Sequence, residues 1–373
     1  MMFRRSQLLS CSFVIQGKDY SCREQSQNEF VHHFNIPSSD PRHPDKGAIQ
    51  QEGIYSAYMF NKDANNPNGI HLINLDGRYH RSNALLDQGP CEGASSTILG
   101  ETQWAWLQAE LNKQSEIKVI GSGIQVLPPT NQDRNLNDYC AYSAGGASSF
   151  TAANAALDEG PGVSGTSYES WGEFPQERTR LLRMCQESLN AGKSKHIIFI
   201  SGDQHWAEIM AKKVPSREGQ AAVTLYEVTA SGIDQSWNEA INNPNRVTYR
   251  KANISGSGDF VYECNFPFSY EGTTYNECTS TGHNAEWCYH SGGGDDDWEY
   301  WGDCEPATSV LVPTDAITAS KEYTCTGNSL HVCTAQANYG GIEVDWDAAQ
   351  VKLSIFTPHS ESDPVAGSVT LDL

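Results

Sequence analysis

Apolar residues that recur every three to four positions predict three helices. Trp104, Leu107 and Leu111 follow this spacing within residues 100–114, as expected of an amphipathic helix. Pro175 precedes a second such stretch, and proline is favoured in the first turn of a helix. A third helical patch covers residues 24–34.

Short β-branched runs and alternating stretches predict strands between and after these helices. The helix at Pro175 leads into one of these runs, an α–β step that is typical of a parallel or mixed sheet. The last stretch alternates apolar and polar residues, which predicts a terminal hairpin and one further strand. The predicted strand regions are residues 70–75, 117–120, 197–200, 223–228 and 339–373.

The residues after the run 197–200 carry the clearest candidate chemistry. Ser201 and Gly202 predict a turn, which is followed by Asp203 and His205. Functional groups in α/β sheets collect at the carboxyl ends of strands. An oxygen ligand and a nitrogen ligand two residues apart can serve one metal ion. The alternative is an ordinary turn that contains an aspartate and a histidine.

Seven segments, in this order, resemble motifs of the PhoD-like alkaline phosphatases, a branch of the metallophosphoesterases. The best match reads SGDQHWAE, at residues 201–208. The seven segments are residues 53–58, 75–82, 99–111, 169–182, 201–208, 225–232 and 338–346. Together they extend the resemblance over roughly residues 17–373.

The resemblance implies an α/β fold, a metallophosphoesterase-like layered β-sandwich flanked by helices, with a C-terminal β-hairpin. It divides the chain into four parts. These are a non-homologous start at 1–16, the C-terminal part of the phosphatase domain at 17–249, a cysteine-rich insertion at 250–337 and the closing hairpin of the same domain at 338–373.

The resemblance also implies metal ligands upstream of Asp203, in an early GD segment and in a DDHD-like segment. Residues 17–22 resemble the residues just after the second of these, and no DHD-type cluster occurs in the sequence. We therefore expect that the N-terminal part of the fold and about half of the metal cage are missing. The chain would then be a truncated or mis-spliced product, or one that has lost its activity.

The implied activity is hydrolysis of phosphomonoesters or phosphodiesters, with small molecules or lipids as substrates. The implied cofactors are divalent or trivalent metal ions, such as calcium, iron, zinc or manganese, with Asp203 and His205 as ligands. Arg78 and Arg81 would bind phosphate, or else serve as structural arginines paired with Asp76.

Two further groups are candidates, each with a plainer alternative. Trp171 and Arg178 would line the substrate cleft, or else pack in the core or on the surface. Asp295, Asp296 and Asp297 would bind calcium, or else form a solvated acidic loop.

Charge narrows the choice of partner. The chain has 25 Lys and Arg against 46 Asp and Glu, a net charge of −21. Such a charge argues against nucleic acid or an anionic membrane as a partner. No apolar run reaches the length of a membrane helix, and the first 16 residues make no convincing signal peptide. The oligomeric state stays open.

Cysteine usage points to an oxidising compartment. Six of the 11 cysteines fall within residues 264–333, in a polar and glycine-rich stretch. A disulfide-rich insertion with at least two disulfides is the prediction, and it implies an extracellular, cell-surface or secretory location. The alternative function is a non-catalytic extracellular module in which residues 260–303 bind calcium or carbohydrate. The six cysteines are Cys264, Cys278, Cys288, Cys304, Cys325 and Cys333.

Overall fold

The structure is a computed structural model that describes most, but not all, of the chain. The described residues are 17–63, 66, 69–82, 97–129, 169–235, 243, 245–247, 251–253, 261–263, 268–275, 278–289, 301–304, 332–358 and 365–373.

Three α-helices lie in the described residues, and each was predicted from the sequence. They are α1 (Arg23–His33), α2 (Glu101–Leu111) and α3 (Pro175–Asn190). Two short 3₁₀ helices, Pro44–Ile49 and Trp171–Glu173, accompany them. No described helix has the length and apolar character needed to cross a membrane.

The described strands are numbered in chain order. The first six are β1 (Ser56–Phe60), β2 (Ile70–Asn74), β3 (Ile117–Gly121), β4 (His196–Ser201), β5 (Ala207–Val214) and β6 (Val223–Ala230). The next seven are β7 (Lys251–Asn253), β8 (Val261–Glu263), β9 (Phe268–Tyr270), β10 (Thr273–Tyr275), β11 (Trp287–Tyr289), β12 (Trp301–Cys304) and β13 (Cys333–Thr334). The last three are β14 (Tyr339–Asp345), β15 (Gln350–Phe356) and β16 (Val365–Asp372).

A seven-stranded mixed sheet is the centre of the described fold. Its order is β1-β2-β3-β4-β6-β5-β13. Strands β2, β3, β4 and β6 are parallel, whereas β1 and β5 run antiparallel to their neighbours. The carboxyl ends of the four parallel strands therefore meet at one edge of the sheet.

The two faces of this sheet bury different cores. Ile197 and Phe199 of β4 pack with α2 and α3 through residues such as Leu107 and Leu181. Ile198 lies on the opposite face, in a second core that contains Leu353 and other residues of the β14-β15-β16 sheet. The layers are thus helices, mixed sheet and antiparallel sheet. The prediction of a β-rich α/β fold is confirmed at this level.

The terminal hairpin was also predicted. Ile342 pairs with Leu353 and Val344 with Val351, so the alternating apolar residues share the face that covers the mixed sheet. Strand β16 adds the predicted further strand on the other side of β15.

The predicted cysteine-rich insertion is described only in short pieces. Strands β7, β8, β11 and β12 form a small sheet, and β13 adds an edge strand to the mixed sheet by pairing with β5. Among the described residues, four cysteines are disulfide-bonded, and Cys185 is a free, buried thiol. The bonded ones are Cys22, Cys278, Cys288 and Cys333. Their partner sulfurs fall outside the described contacts, so a disulfide-rich insertion stays a prediction.

Candidate functional site

The loop that carries Asp203 and His205 lies at the edge where the parallel strands end. It leaves the carboxyl end of β4 at Ser201 and enters β5 at Ala207. Because β6 lies between β4 and β5 in the sheet, the loop must pass over the end of β6. Asp203 is exposed and His205 is half-buried.

Both candidate ligands have backbone angles in the left-handed region. The φ angle is 74° at Asp203 and 61° at His205. A non-glycine residue held in a sparsely populated backbone region costs about 1–3 kcal/mol, and such residues cluster at functional sites. The loop is held in this conformation from both sides. The His205 N–H donates to Ser231 Oγ at 2.9 Å, and Gln204 Nε2 donates to the Glu169 carbonyl at 2.8 Å.

Each end of the loop is tied to buried polar groups of the sheet. Ser201 Oγ lies 2.8 Å from Thr229 Oγ1 of β6. Trp206 Nε1 donates to Glu208 Oε1 at 3.2 Å. The loop is therefore anchored at both its first and its last residue.

Glu208 belongs to an ion pair that is closed to solvent. Its Oε2 accepts from Arg246 Nε at 2.6 Å, and the two side chains are 1% and 0% exposed. Its Oε1 accepts from Gln125 Nε2 at 2.6 Å. Full burial removes water from these groups, so the contacts within the protein must satisfy them.

A second buried carboxylate, Glu227, lies on the same face of the sheet. It accepts the backbone N–H groups of Val126 at 2.9 Å and Leu127 at 2.6 Å. Loss of solvation raises the pKa of Glu227 from 4.5 to about 7, although a hydrogen bond from Ser201 and the two backbone donors oppose the rise. The carboxyl thus changes charge near neutral pH.

Arg78 and Arg81 meet at one carboxylate, that of Glu169. Arg78 Nη1 and Nη2 donate to its two oxygens at 2.7 and 2.9 Å. Arg81 forms an ion pair with the same carboxylate and is 1% exposed, whereas the Arg78 side chain is 46% exposed. Arg81 is thereby a buried structural group, and Arg78 remains accessible to a ligand.

The structural alternative, in which these arginines pair with Asp76, is wrong about the partner. Asp76 makes no described ion pair with either arginine; it accepts backbone N–H groups of Ile54, Arg78 and Tyr79 at 2.7–2.9 Å. A carboxylate in the turn after β2 is satisfied by these nearby backbone donors. The two guanidinium groups therefore pair with Glu169, far along the chain.

Trp171 and Arg178 are both buried. Trp171 is fully buried, and its Nε1 donates to Ser122 Oγ at 3.1 Å. Arg178 is 2% exposed and donates to the carbonyl oxygens of Val126 and Leu127. Both side chains are thus closed to solvent.

A cavity of about 620 Å³ opens beside the loop, at the ends of the parallel strands. We call it the strand-end cavity. Its lining includes Ser201 and also Asn74 and Ser122, but no charged side chain. The cavity places uncharged groups next to the loop that carries Asp203 and His205.

The donor set of this loop is one carboxylate and one imidazole. Such a pair suits a cation of mixed oxygen and nitrogen ligation. Within the described residues, no group of three or more His, Cys, Asp or Glu side chains is placed to hold a metal ion. Asp203 and His205 can therefore supply only part of a coordination sphere. The acidic residues Asp295, Asp296 and Asp297 lie outside the described residues.

Comparison with known families identifies the family of this chain. The family model described as PhoD-like phosphatase matches residues 65–286, more than half of the chain. The chain belongs to the PhoD-like phosphatase family. The match includes the β4–β5 loop, both arginines and Glu169.

A solved structure titled "Structure of PhoD" is similar to part of this PhoD-like chain. The two share 16% sequence identity over 62% of this chain and 38% of that chain, with a TM-score of 0.38. The PhoD-like chain thus spans well under half of the length of that protein. No curated protein matches the chain.

Several groups around the loop were not found from the sequence. Glu169 and Gln204 join the arginines to the loop, and Ser231 fixes the backbone of His205. Charged residues inside otherwise apolar strands were the available signal for Glu208 and Glu227. Glu169 opens one of the matched segments, but nothing in the sequence indicated its pairing with Arg78, because the two residues are 91 positions apart.

Proposed function

We propose that this PhoD-like chain is part of a metal-dependent phosphatase that hydrolyses phosphomonoesters or phosphodiesters. In this proposal Asp203 and His205 hold one cation. The observation that carries it is the strained β4–β5 loop, which presents a carboxylate and an imidazole at the carboxyl edge of a sheet in a chain of the PhoD-like phosphatase family.

A bound cation would neutralise phosphate charge and lower the pKa of a bound water. The residues of this chain do the positioning. Gln204 and Ser231 hold the backbone of the loop, so that Asp203 and His205 keep their orientation without reorganisation on binding. Calcium, iron, zinc and manganese are the candidate ions.

Arg78 is the proposed phosphate-binding residue of the described chain. Its side chain is half exposed and held by Glu169, whose backbone carbonyl binds Gln204 of the metal loop. The guanidinium is thus fixed near the loop and has a planar array of donors that suits phosphate oxygens. The net charge of −21 is expected to repel an anionic phosphate substrate, and the positive charge of Arg78 opposes that repulsion locally.

The chain alone is proposed to be nearly inactive. Two ligands on one loop leave most coordination positions of a cation to water, so the cation and phosphate would be poorly oriented. A secretory or extracellular location is proposed as well, because Cys22, Cys278, Cys288 and Cys333 are disulfide-bonded.

The test compares two proteins, residues 1–373 and a longer product in which an upstream segment with GD and DDHD-type motifs is joined to them. Phosphate release from p-nitrophenyl phosphate and bis(p-nitrophenyl) phosphate is measured with and without chelator. We expect chelator-sensitive hydrolysis by the longer product and a rate lower by at least about a hundredfold for residues 1–373.

Variants then test the site. Asp203→Asn and His205→Ala should abolish the chelator-sensitive rate, whereas Asp234→Asn and His33→Ala, both at exposed positions, should not. Hydrolysis that resists chelator, or that survives both loop substitutions, would disprove the assigned site.

A further inference from the structure

A second cavity lies between α1 and the turn that follows β2, with a volume of about 340 Å³. We call it the α1 cavity. Its walls are mainly apolar and aromatic; they include Tyr20, Phe30, Ile54, Tyr79 and Ile124. Small-molecule sites of this size are commonly apolar, with a few charged groups that fix orientation.

Two guanidinium groups line the α1 cavity. Arg23 lies over the ring of Tyr79, with its central carbon 5.0 Å from the ring centroid. Arg78 is the second, and its only described side-chain hydrogen bonds are those of Nη1 and Nη2 to Glu169. The accessible positive charge is therefore placed on the wall of an apolar cavity.

Two acidic groups close to Arg78, Glu169 and Asp76, are bound by protein contacts. Glu169 is shared by Arg78 and Arg81, so its carboxylate is bound by two guanidinium groups. Asp76, the acidic residue in the lining, is bound by three backbone N–H groups. An anion can therefore approach Arg78 without meeting an unpaired carboxylate in the described lining.

The α1 cavity adjoins the proposed metal loop. It shares Leu75 and Gly123 with the strand-end cavity, whose lining includes Ser201 at the start of the loop. Arg78 is also linked to the loop through Glu169 and Gln204. A ligand whose phosphate lies at Arg78 would thus have an apolar cavity on one side and the loop on the other.

We propose that the α1 cavity is a specificity subsite that takes the uncharged, apolar group of a phosphate ester. This inference rests on the proposed phosphatase function and narrows its substrate class to esters of an alkyl or aryl alcohol. A polyanionic leaving group does not fit, because Arg23 and Arg78 are the only cationic side chains in the described lining.

The experiment measures binding rather than turnover. Isothermal titration of residues 1–373 compares inorganic phosphate, butyl phosphate, hexyl phosphate and octyl phosphate, each below its micelle concentration. Burial of a methylene group is expected to tighten binding by about fourfold, until the cavity is filled. Equal dissociation constants for butyl and octyl phosphate would overturn the proposal.

Two pairs of variants locate the effect. Ser26→Trp fills the α1 cavity from an exposed helix position and should abolish the dependence on chain length. Gln25→Trp, on the same helix and outside the lining, should leave it unchanged. Arg78→Gln should weaken every phosphate compound by about tenfold, whereas Arg217→Gln, on the surface, should not. If binding depends on alkyl chain length in the same way in both tryptophan variants, the alkyl group does not lie in the α1 cavity and the proposal is overturned.

The outcome separates this inference from the function on which it rests. If binding depends on alkyl chain length but the longer product shows no chelator-sensitive hydrolysis, the subsite is supported and the phosphatase function is disproved. If the longer product shows chelator-sensitive hydrolysis but binding does not depend on alkyl chain length, the phosphatase function is supported and the subsite is disproved.

Discussion

Removal of Arg246 should destabilise the protein far more than removal of a surface arginine. Arg246 and Glu208 are 0% and 1% exposed, with Nε and Oε2 at 2.6 Å. Arg246→Met would leave the buried carboxylate with neutral donors, chiefly Gln125 at 2.6 Å and Trp206 at 3.2 Å. Breaking a buried ion pair costs about 3–5 kcal/mol, and the remaining donors place the expected loss near the lower limit, about 3 kcal/mol.

Arg217→Met is the matched control. Arg217 pairs with Glu187, and the two side chains are 40% and 46% exposed. A solvated pair of this kind contributes at most about 1 kcal/mol. The free energy of unfolding of each variant is obtained from urea titrations followed by tryptophan fluorescence.

A double variant tests the reason for the loss. Glu208→Gln combined with Arg246→Met removes both charges and keeps a carbonyl oxygen for Gln125 and Trp206. It should recover a large part of the loss, since no buried charge remains unpaired. Equal losses for Arg246→Met and Arg217→Met would refute the reasoning, as would a double variant less stable than Arg246→Met.

Three further predictions concern other parts of the described chain. The pKa of Glu227 is raised from 4.5 to about 7 in the folded state. Between these two pH values the unfolded chain has lost this proton and the folded chain still holds it. The free energy of unfolding should therefore fall as pH rises from 4.5 to 7. Glu227→Gln should flatten that fall in urea titrations between pH 4.5 and 7, and an unchanged slope would contradict it. Gly232→Ala should lower the melting temperature, because a Cβ there would clash with the buried side-chain amide of Asn338. Gly123→Ala, with open space around it, is the control, and an equal melting temperature for both would be the contrary result. Alkylation of the unfolded, unreduced protein should label Cys185, and mass spectrometry that finds the bonded cysteines labelled as well would contradict the disulfides. The bonded cysteines are Cys22, Cys278, Cys288 and Cys333.

The sequence predicted elements that have one buried face. Helices α2 and α3 and the hairpin β14–β15 show the expected spacing of apolar residues, because each covers the mixed sheet from one side. Strand β5 was missed. Its Glu208 and Lys212 are buried like the apolar residues Ile209 and Ala211 that lie between them, so no simple alternation of apolar and polar residues marks a strand.

The candidate site was predictable in part, for a different reason. Asp203 and His205 could be proposed because a strand and a turn precede them within a few residues. Their surroundings could not, since Ser231 and Glu169 come from distant parts of the chain and meet the loop only after folding. For the same reason, Asp76 was the wrong partner for the arginines: proximity in sequence favoured it, but backbone N–H groups already satisfy it.

Metal binding by the β4–β5 loop is the most direct test of the account. Manganese is titrated into residues 1–373 and followed by electron paramagnetic resonance of the free ion, with Asp203→Asn, His205→Ala and the control Asp234→Asn in parallel. The account predicts a bound ion in the unsubstituted chain and in Asp234→Asn, and loss of that ion in both loop variants. Unchanged manganese binding in Asp203→Asn and His205→Ala would contradict it.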